Sequence, residues 1–565
     1  MNDERRNVRR NERKKMLKPL LVLLSSYLPA FCLSSLLFLS ATGCYQHPDD
    51  YNGAAMAEVR EKIHEIEPLE LKQADPNEAT PEPNEPPATL ELSLERCRML
   101  ALENNLALKA SLISPTIAAA RLSQEEAKFQ SAFFTNVNFG KTDNPSVGFS
   151  DQITGSQSEY FRGTTGVEVP LRTGGTVRFE LSDARTETDA IGTQFNPYYL
   201  SDVSAVISQP LLRNAGRWVN TYSIHLVAYD RDIIDARTRL DVISLLAAID
   251  RVYWRLYAAR RDVELRQQQY ELSQVQLERA RRLVEGGQRP QVEVIRAEAG
   301  VAQQIEAIII AENSLRDRER ELKRVINKAG LDVQTPTIIV PATEPDPIRY
   351  DLDRSRFVRV ALDSRMELLE IQLQLLQDAL NVGYFRNQTL PVATLDYTYN
   401  VSGLGATRND AYDMLLDSDF IDHRIGLQLV VPIGNQVAKN RLLQAIYTRR
   451  QRLATQANRE DLIKLEVLNV VDQVEANWQR ILAARQNTIV NARLYEAEKR
   501  EFEVGMSTST DVLDAQFNFA NAQSREISAL AEYQISLVDL AYATGTTLGA
   551  ARIQWEPIVP PSDVD

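Results

Sequence analysis

Residues 467–516 read VLNVVDQVEANWQRILAARQNTIVNARLYEAEKREFEVGMSTSTDVLDAQ, and this stretch decides the fold. An apolar residue recurs at every seventh position through Val467, Val474, Ile481, Tyr495 and Phe502, with Thr488 the only polar member of the series. A strict seven-residue period belongs to an under-wound helix packed in a left-handed coiled coil. The series ends at Gly505, and a second helical pattern starts with Asp511-Val512-Leu513-Asp514-Ala515.

The same layout occurs upstream. Val242, Ile249, Leu256, Val263, Tyr270, Leu277 and Val284 keep the period, and a single shift of 218 residues carries Ile249 onto Val467, Val284 onto Phe502, Gly287 onto Gly505, Glu293 onto Asp511 and Ala297 onto Ala515. The chain is a tandem duplication of a long helix that turns at a glycine. Neither Gly nor Pro interrupts Arg217 to Glu285 or Asn435 to Val504. Each stretch predicts a helix roughly 100 Å long at about 1.5 Å per residue. That exceeds an ordinary globular domain, so reach itself is read as the function.

The 565 residues carry a net charge of −13, with 44% hydrophobic and 25% charged. The acidic balance argues against nucleic acid as a partner. Three cysteines (Cys32, Cys44 and Cys97) give no disulfide framework, and four scattered histidines (His47, His64, His225 and His423) give no metal-ligand spacing.

The N-terminus predicts export. Arg5 to Lys18 is basic, Leu20 to Ser40 is largely apolar, and Ala41-Thr42-Gly43-Cys44 is similar to a bacterial lipoprotein cleavage box with Cys44 as the lipidated residue. An ordinary signal peptide or an uncleaved anchor helix is the alternative. No later apolar run is long enough for a spanning helix, so any further crossing is by β-strands. The expected organisation is a signal peptide at 1–43, a Pro/Glu-rich linker at 44–90, a first repeat at 91–345, a second repeat at 346–552 and a tail at 553–565.

Before each long helix the period switches to two. Ala393, Leu395, Tyr397, Tyr399 and Val401 alternate with Thr394, Asp396, Thr398 and Asn400. After a polar loop from Gly403 to His423, Ile425, Leu427, Leu429 and Val431 alternate with Arg424, Gly426 and Gln428. This alternation fits a transmembrane barrel and equally a half-buried sheet in a soluble domain. The first repeat adds a hairpin, with Val167-Glu168-Val169-Pro170-Leu171, the turn Thr173-Gly174-Gly175, then Val177, Phe179 and Leu181. Thr335 to Pro347 is read as a connector, and the helix at the start of the first repeat is placed from Leu94 to about Phe133.

Three elements resemble the TolC-like outer-membrane efflux family. They are Ala101-Leu102-Glu103-Asn104-Asn105, Gln209-Pro210-Leu211-Leu212 before the first long helix, and the tip from Val504 to Gln516. The duplicated order of helix, strands, long helix, tip and return helix, from Ser93 to Thr547, carries the rest of the resemblance. It implies a mainly α fold with a β-barrel: coiled-coil hairpins from three copies forming an α-barrel tunnel, and four strands from each copy forming a shared transmembrane barrel. The extra hairpin departs from that count and either decorates the barrel or enlarges it. The partners implied are two further copies of the chain, a periplasmic adaptor, an inner-membrane pump and outer-membrane lipid.

No catalytic constellation is present, and no cofactor is expected. The acidic run Asp410, Asp413, Asp417, Asp419 and Asp422 lacks an EF-hand spacing and is read as a solvated loop, and Gly403-Leu404-Gly405 lacks the third glycine of a dinucleotide loop. Asp511 and Asp514 share one helix face. The resemblance makes them, with Glu293 next in line, a periplasmic constriction that takes up protons if like charges crowd; without it they are acids in a solvated first turn, favoured by the helix dipole. Gly287, Gly505, Met506 and Ser507 mark the adaptor-docking tip. Phe502 and Ser507 stand where the family has a latching Tyr and Arg. The expected function is a passive conduit of a tripartite export system; the alternative is a periplasmic coiled-coil adaptor or scaffold lipoprotein.

Overall fold

The computed structural model describes residues 88–147, 153–189 and 194–556. The expected signal peptide, Cys44, nearly all of the expected linker and the end of the tail lie outside the described residues. The chain divides into a strand unit and a helical unit.

The first repeat runs through β1 (Thr89–Leu92), α1 (Leu94–Asn104), α2 (Leu106–Glu126), β2 (Ala132–Val147), β3 (Ile153–Pro170), β4 (Thr176–Thr188), β5 (Tyr198–Pro210), α3 (Arg217–Asn220), α4 (Tyr222–Glu285), α5 (Val292–Ile326) and β6 (Ile338–Pro341). The second runs through α6 (Arg354–Ser364), α7 (Met366–Gln388), β7 (Val392–Gly405), α8 (Arg408–Asp417), β8 (Phe420–Val430), α9 (Gln436–Val504), α10 (Ser509–Ala543) and α11 (Thr547–Ala550).

In the helical unit, α4 and α9 span 64 and 69 residues, so the predicted reach is met. The break at Thr221 was not foreseen. Its hydroxyl donates back to the Arg217 carbonyl at 2.9 Å, and the residue leaves helical geometry. The opening helix of each repeat is also split. Asn105 accepts from the Leu108 amide at 2.9 Å and donates to the Val325 carbonyl at 2.9 Å. The counterpart break falls at Arg365, a buried cation paired with Glu367 and Glu466. Part of the expected connector is strand: β6 pairs in parallel with β1. Tyr253 ties this pair to α4, donating to the Leu92 carbonyl at 3.2 Å and accepting from the Thr343 amide at 2.8 Å.

The apolar heptad positions form the cores. Ile249, Leu256 and Val263 join Cys97, Leu322 and Ile339 in one cluster, and Val467, Val474 and Ile481 join Ala361, Leu368 and Tyr533 in another. Burial pushes the Cys97 thiol up to about 12, which keeps it a protonated packing group. Toward the tip of α4 the heptad stripe is not the buried one. Gln269, Ser273, Gln276 and Ala280 are buried, because α10 packs against α4 as well as α5 does. Gln516 of α10 donates to the Gln269 carbonyl and the Ser273 hydroxyl, each at 3.0 Å.

The strand unit is one antiparallel sheet of six strands in the order β2-β3-β4-β5-β7-β8. The added hairpin is therefore part of the sheet: β3 and β4 stand between β2 and β5, with β3 pairing β2 from Ala132 opposite Glu168 onward and β4 pairing β5 from Thr176 opposite Ser208 onward. The expected loop after β7 is largely helix. Thr407 and Asp410 form a capping box at the start of α8, and the helix lies on β5 and β7. Gly403 allows this approach, since a Cβ there would stand 2.0 Å from the Ala411 carbonyl oxygen. No helix among the described residues is long and apolar enough to cross a membrane.

Candidate functional site: a two-faced sheet and a clasped helix tip

Register carries the period-two alternation across all six strands. Phe133 faces Val167, Val167 faces Phe179, Phe179 faces Ala205, Ala205 faces Tyr399, and next to these Leu395 faces Leu427 and Tyr397 faces Ile425. These residues share one face of the sheet. Phe133, Phe139, Phe179, Ile425, Leu427 and Leu429 on it are all more than half exposed, so this part of the face is apolar and open. The opposite face carries Asn136, Asn138, Arg162, Thr164, Glu168, Arg178 and Glu180. Across β3 and β4, Arg178 reaches Glu168 at 2.5 Å and Glu180 at 3.2 Å. An open apolar face backed by a charged one suits a wall between hydrocarbon and water. Farther along the face that bears Phe179, Asp183 of β4 accepts from Ser201 of β5 at 2.9 Å and pairs with Arg408 at 2.8 Å, fixing α8 on the sheet.

In the helical unit, α4 and α5 turn through Gly287 at φ 70°, and α9 and α10 turn through Gly505 at φ 86°. Both angles lie in the left-handed region that closes a helix C-terminus. Thr508 and Asp511 then form a capping box. The Asp511 carboxylate accepts from the Thr508 hydroxyl at 2.6 Å, the Thr508 amide at 2.9 Å and the Ser507 hydroxyl at 3.3 Å. The Thr508 hydroxyl bond is the main cause holding the Asp511 carboxyl below its ordinary range, followed by the amide bond. That opposes the proton uptake expected of it. Asp514 is exposed on the same face.

Glu293 departs from the sequence reading. It is 4% exposed, accepts from the Ser509 amide at 3.0 Å and pairs with Arg296 at 2.9 Å. A first-turn acid of α5 thus caps the first turn of α10, where amides have no partner in their own helix. It is not a free carboxylate in this chain. Ser507 is also buried, with its hydroxyl donating to Glu498 at 2.8 Å, so of the residues expected to dock a partner it is Met506, 77% exposed, that presents a side chain. Arg289 was missed. Its guanidinium carbon lies 5.1 Å from the centre of the Phe502 ring, and the group donates to the Phe502 and Ser507 carbonyls at 3.4 and 3.2 Å. The signal was available, because the 218-residue shift carries Arg289 onto Ser507.

Comparison with known proteins agrees with this geometry. Residues 358–546, from α6 to the end of α10, match the outer membrane efflux protein family. The chain is TolC-like. The outer membrane protein TolC of Vibrio cholerae is 24% identical over 347 residues, covering 60% of this chain and 75% of that one. Among solved structures, the outer-membrane channel OprN superposes with a TM-score of 0.60 at 13% identity, covering 80% of this chain and 90% of that one. The outer membrane protein VceC of Vibrio cholerae does so with a TM-score of 0.58 at 14% identity, covering 80% and 96%. At those identities the structural likeness is one of fold. The resemblance read from the sequence holds, and the TolC-like chain belongs at the outer membrane.

Proposed function

We propose that this TolC-like protein is the passive outer-membrane conduit of a tripartite export system. Three copies join their sheets into a barrel and their helical hairpins into a periplasmic tunnel, with an adaptor and an inner-membrane pump at the tips. Met506 and the turns at Gly287 and Gly505 form the docking end, and Asp511 and Asp514 line the constriction, with Asp514 the freer carboxylate. Cys44 carries the lipid, and 44–90 tethers it to the repeats at 91–345 and 346–552. The conduit catalyses no reaction and holds no cofactor.

The observation that carries this reading is the sheet with one apolar, open face and one charged face. It also weighs against the adaptor alternative, in which a water-soluble protein would leave that apolar face in water. The test is fractionation of the Cys44→Ser variant. A conduit remains in the outer membrane as a trimer, because its strands hold it there. A monomer in the soluble periplasmic fraction would show that lipid alone was holding the protein to the membrane.

A further inference from the structure

The six-stranded sheet has two open edges, β2 and β8, which are not paired with each other among the described residues. Within hydrocarbon, edge amides and carbonyls have no water to bond, so the sheet must close. Closing six strands on themselves would leave no room for the charged face inside. The sheet closes on other copies of the chain, and its strand count makes this work. Six is even, so β2 and β8 run in opposite directions, and β8 of one copy meets β2 of the next as an antiparallel pair. Alternation then continues around the whole ring without a parallel junction. The two edges also carry the most exposed apolar side chains of the common face, Phe133 and Phe139 on β2 and Ile425, Leu427 and Leu429 on β8.

We infer that the additional hairpin enlarges the outer-membrane opening beyond that of a barrel of four strands per copy. The inference rests on the trimeric reading above. Three copies of a six-stranded sheet give eighteen strands. With strands about 4.8 Å apart and tilted about 40°, the ring is on the order of 36 Å across between opposing backbones, against on the order of 24 Å for twelve. Lined with side chains, the openings are on the order of 25 Å and 14 Å. The hairpin adds charge to that lumen as well as width, since Glu168, Arg178 and Glu180 all lie on β3 and β4.

The test is polymer exclusion on the purified full chain in planar bilayers, with its native mass in detergent measured alongside. Poly(ethylene glycol) of about 10 Å hydrodynamic radius, added on the barrel side, fits the larger opening and not the smaller. It should enter and lower the single-channel current. A companion variant lacking residues 153–188 joins β2 to β5 and should exclude the same polymer while keeping the mass of three copies. If that variant does not insert, imaging of the parent trimer along its axis counts the strands directly, and eighteen is the expected number. A trimer that excludes the polymer, or that shows twelve strands, overturns the enlarged barrel and leaves the conduit reading intact. A mass other than three copies overturns both.

Discussion

Arg289 of the first repeat lies across the ring of Phe502 of the second, 5.1 Å from its centre, and bonds the carbonyls of Phe502 and Ser507. Arg289 thus ties the two helix tips of one chain, as the Glu293 bond to Ser509 also does, where Phe502 and Ser507 left no polar latch to expect. Cation–aromatic contact of this kind contributes about 0.5–1 kcal/mol at an exposed site, and hydrogen bonds from a charged donor about 1.5–3 kcal/mol. Arg289→Ala should therefore speed amide exchange at residues 505–508 about tenfold or more, since about 1.4 kcal/mol corresponds to tenfold. Arg289→Lys should recover only part of this, because an ammonium lacks the planar fork. Unchanged exchange in Arg289→Ala would show that the tips hold without the clasp.

The Asp511 cap has a defined pH window. Its carboxyl is held below the ordinary aspartate value, so the folded chain takes up the proton less readily than the unfolded one. The stability it contributes is complete above the ordinary value of about 3.9 and is lost as pH falls through the lower folded value. Exchange at residues 508–512 should be insensitive to pH from 7 down to about 5 after correction for intrinsic rates, and should rise only in stronger acid. Asp511→Ala should show the frayed behaviour at every pH. In bilayer recordings, Asp514→Asn should lower cation selectivity more than Asp511→Asn, because hydrogen bonds already engage the Asp511 charge. A larger effect at Asp511 would contradict this assignment.

Arg98 and Asp250 make an asymmetric pair. Arg98 approaches both oxygens of Asp250 at 2.7 Å, and Asp250 is 3% exposed. Burial raises the Asp250 carboxyl above its ordinary range, and the Arg98 bond only partly offsets this. Removing Arg98 strands a buried charge, so Arg98→Met should cost about 3–5 kcal/mol in denaturant unfolding, and Asp250→Asn should cost less. Without Arg98 the Asp250 carboxyl rises further, so the Arg98→Met deficit should shrink as pH falls toward the parent's own raised value. Equal costs for the two variants would refute the asymmetry.

The close approach of α8 to the sheet rests on Gly403. Gly403→Val would drive its side chain into the Ala411 carbonyl and the Leu415 amide, both backbone groups that cannot swing aside. The helix should lift, and limited proteolysis should cut between residues 406 and 419 where the parent resists. Resistance equal to the parent would mean that the contact adapts.

What the sequence disclosed and what it hid divide by range. The heptads at Ile249 and Val467, the turns at Gly287 and Gly505, and the alternation around Tyr397 and Ile425 are local periodicities, and each became the element expected. The pairing of β1 with β6 joins residues that neither period nor composition links. The burial of Glu293 and the reach of Arg289 depend likewise on where a second hairpin lies. The polar stripe of Gln269, Ser273 and Gln276 displaced the heptad residues because α4 has two neighbours near its tip. One feature was readable and passed over. Thr407-Arg408-Asn409-Asp410 is a capping-box spacing ahead of Ala411 and Leu415, which marks a helix inside the supposed loop. The added hairpin, by contrast, was read directly around Thr173-Gly174-Gly175, and the fall of the duplication shift from 260 residues at Ala101 to 218 at Ile249 agrees with extra chain there.

That hairpin bears on how such a chain can change. Helix reach is set by the number of heptads, and sheet breadth by the number of strand pairs, and in this sequence one was altered between the repeats while the other was kept. An odd strand would have reversed the direction of every strand after it and sent the chain into its long helix from the wrong end of the sheet. A whole hairpin restores direction on leaving and disturbs nothing downstream. Breadth in this architecture therefore grows in fixed steps of two strands per chain, and a lineage can take such a step by a single insertion without re-registering one heptad.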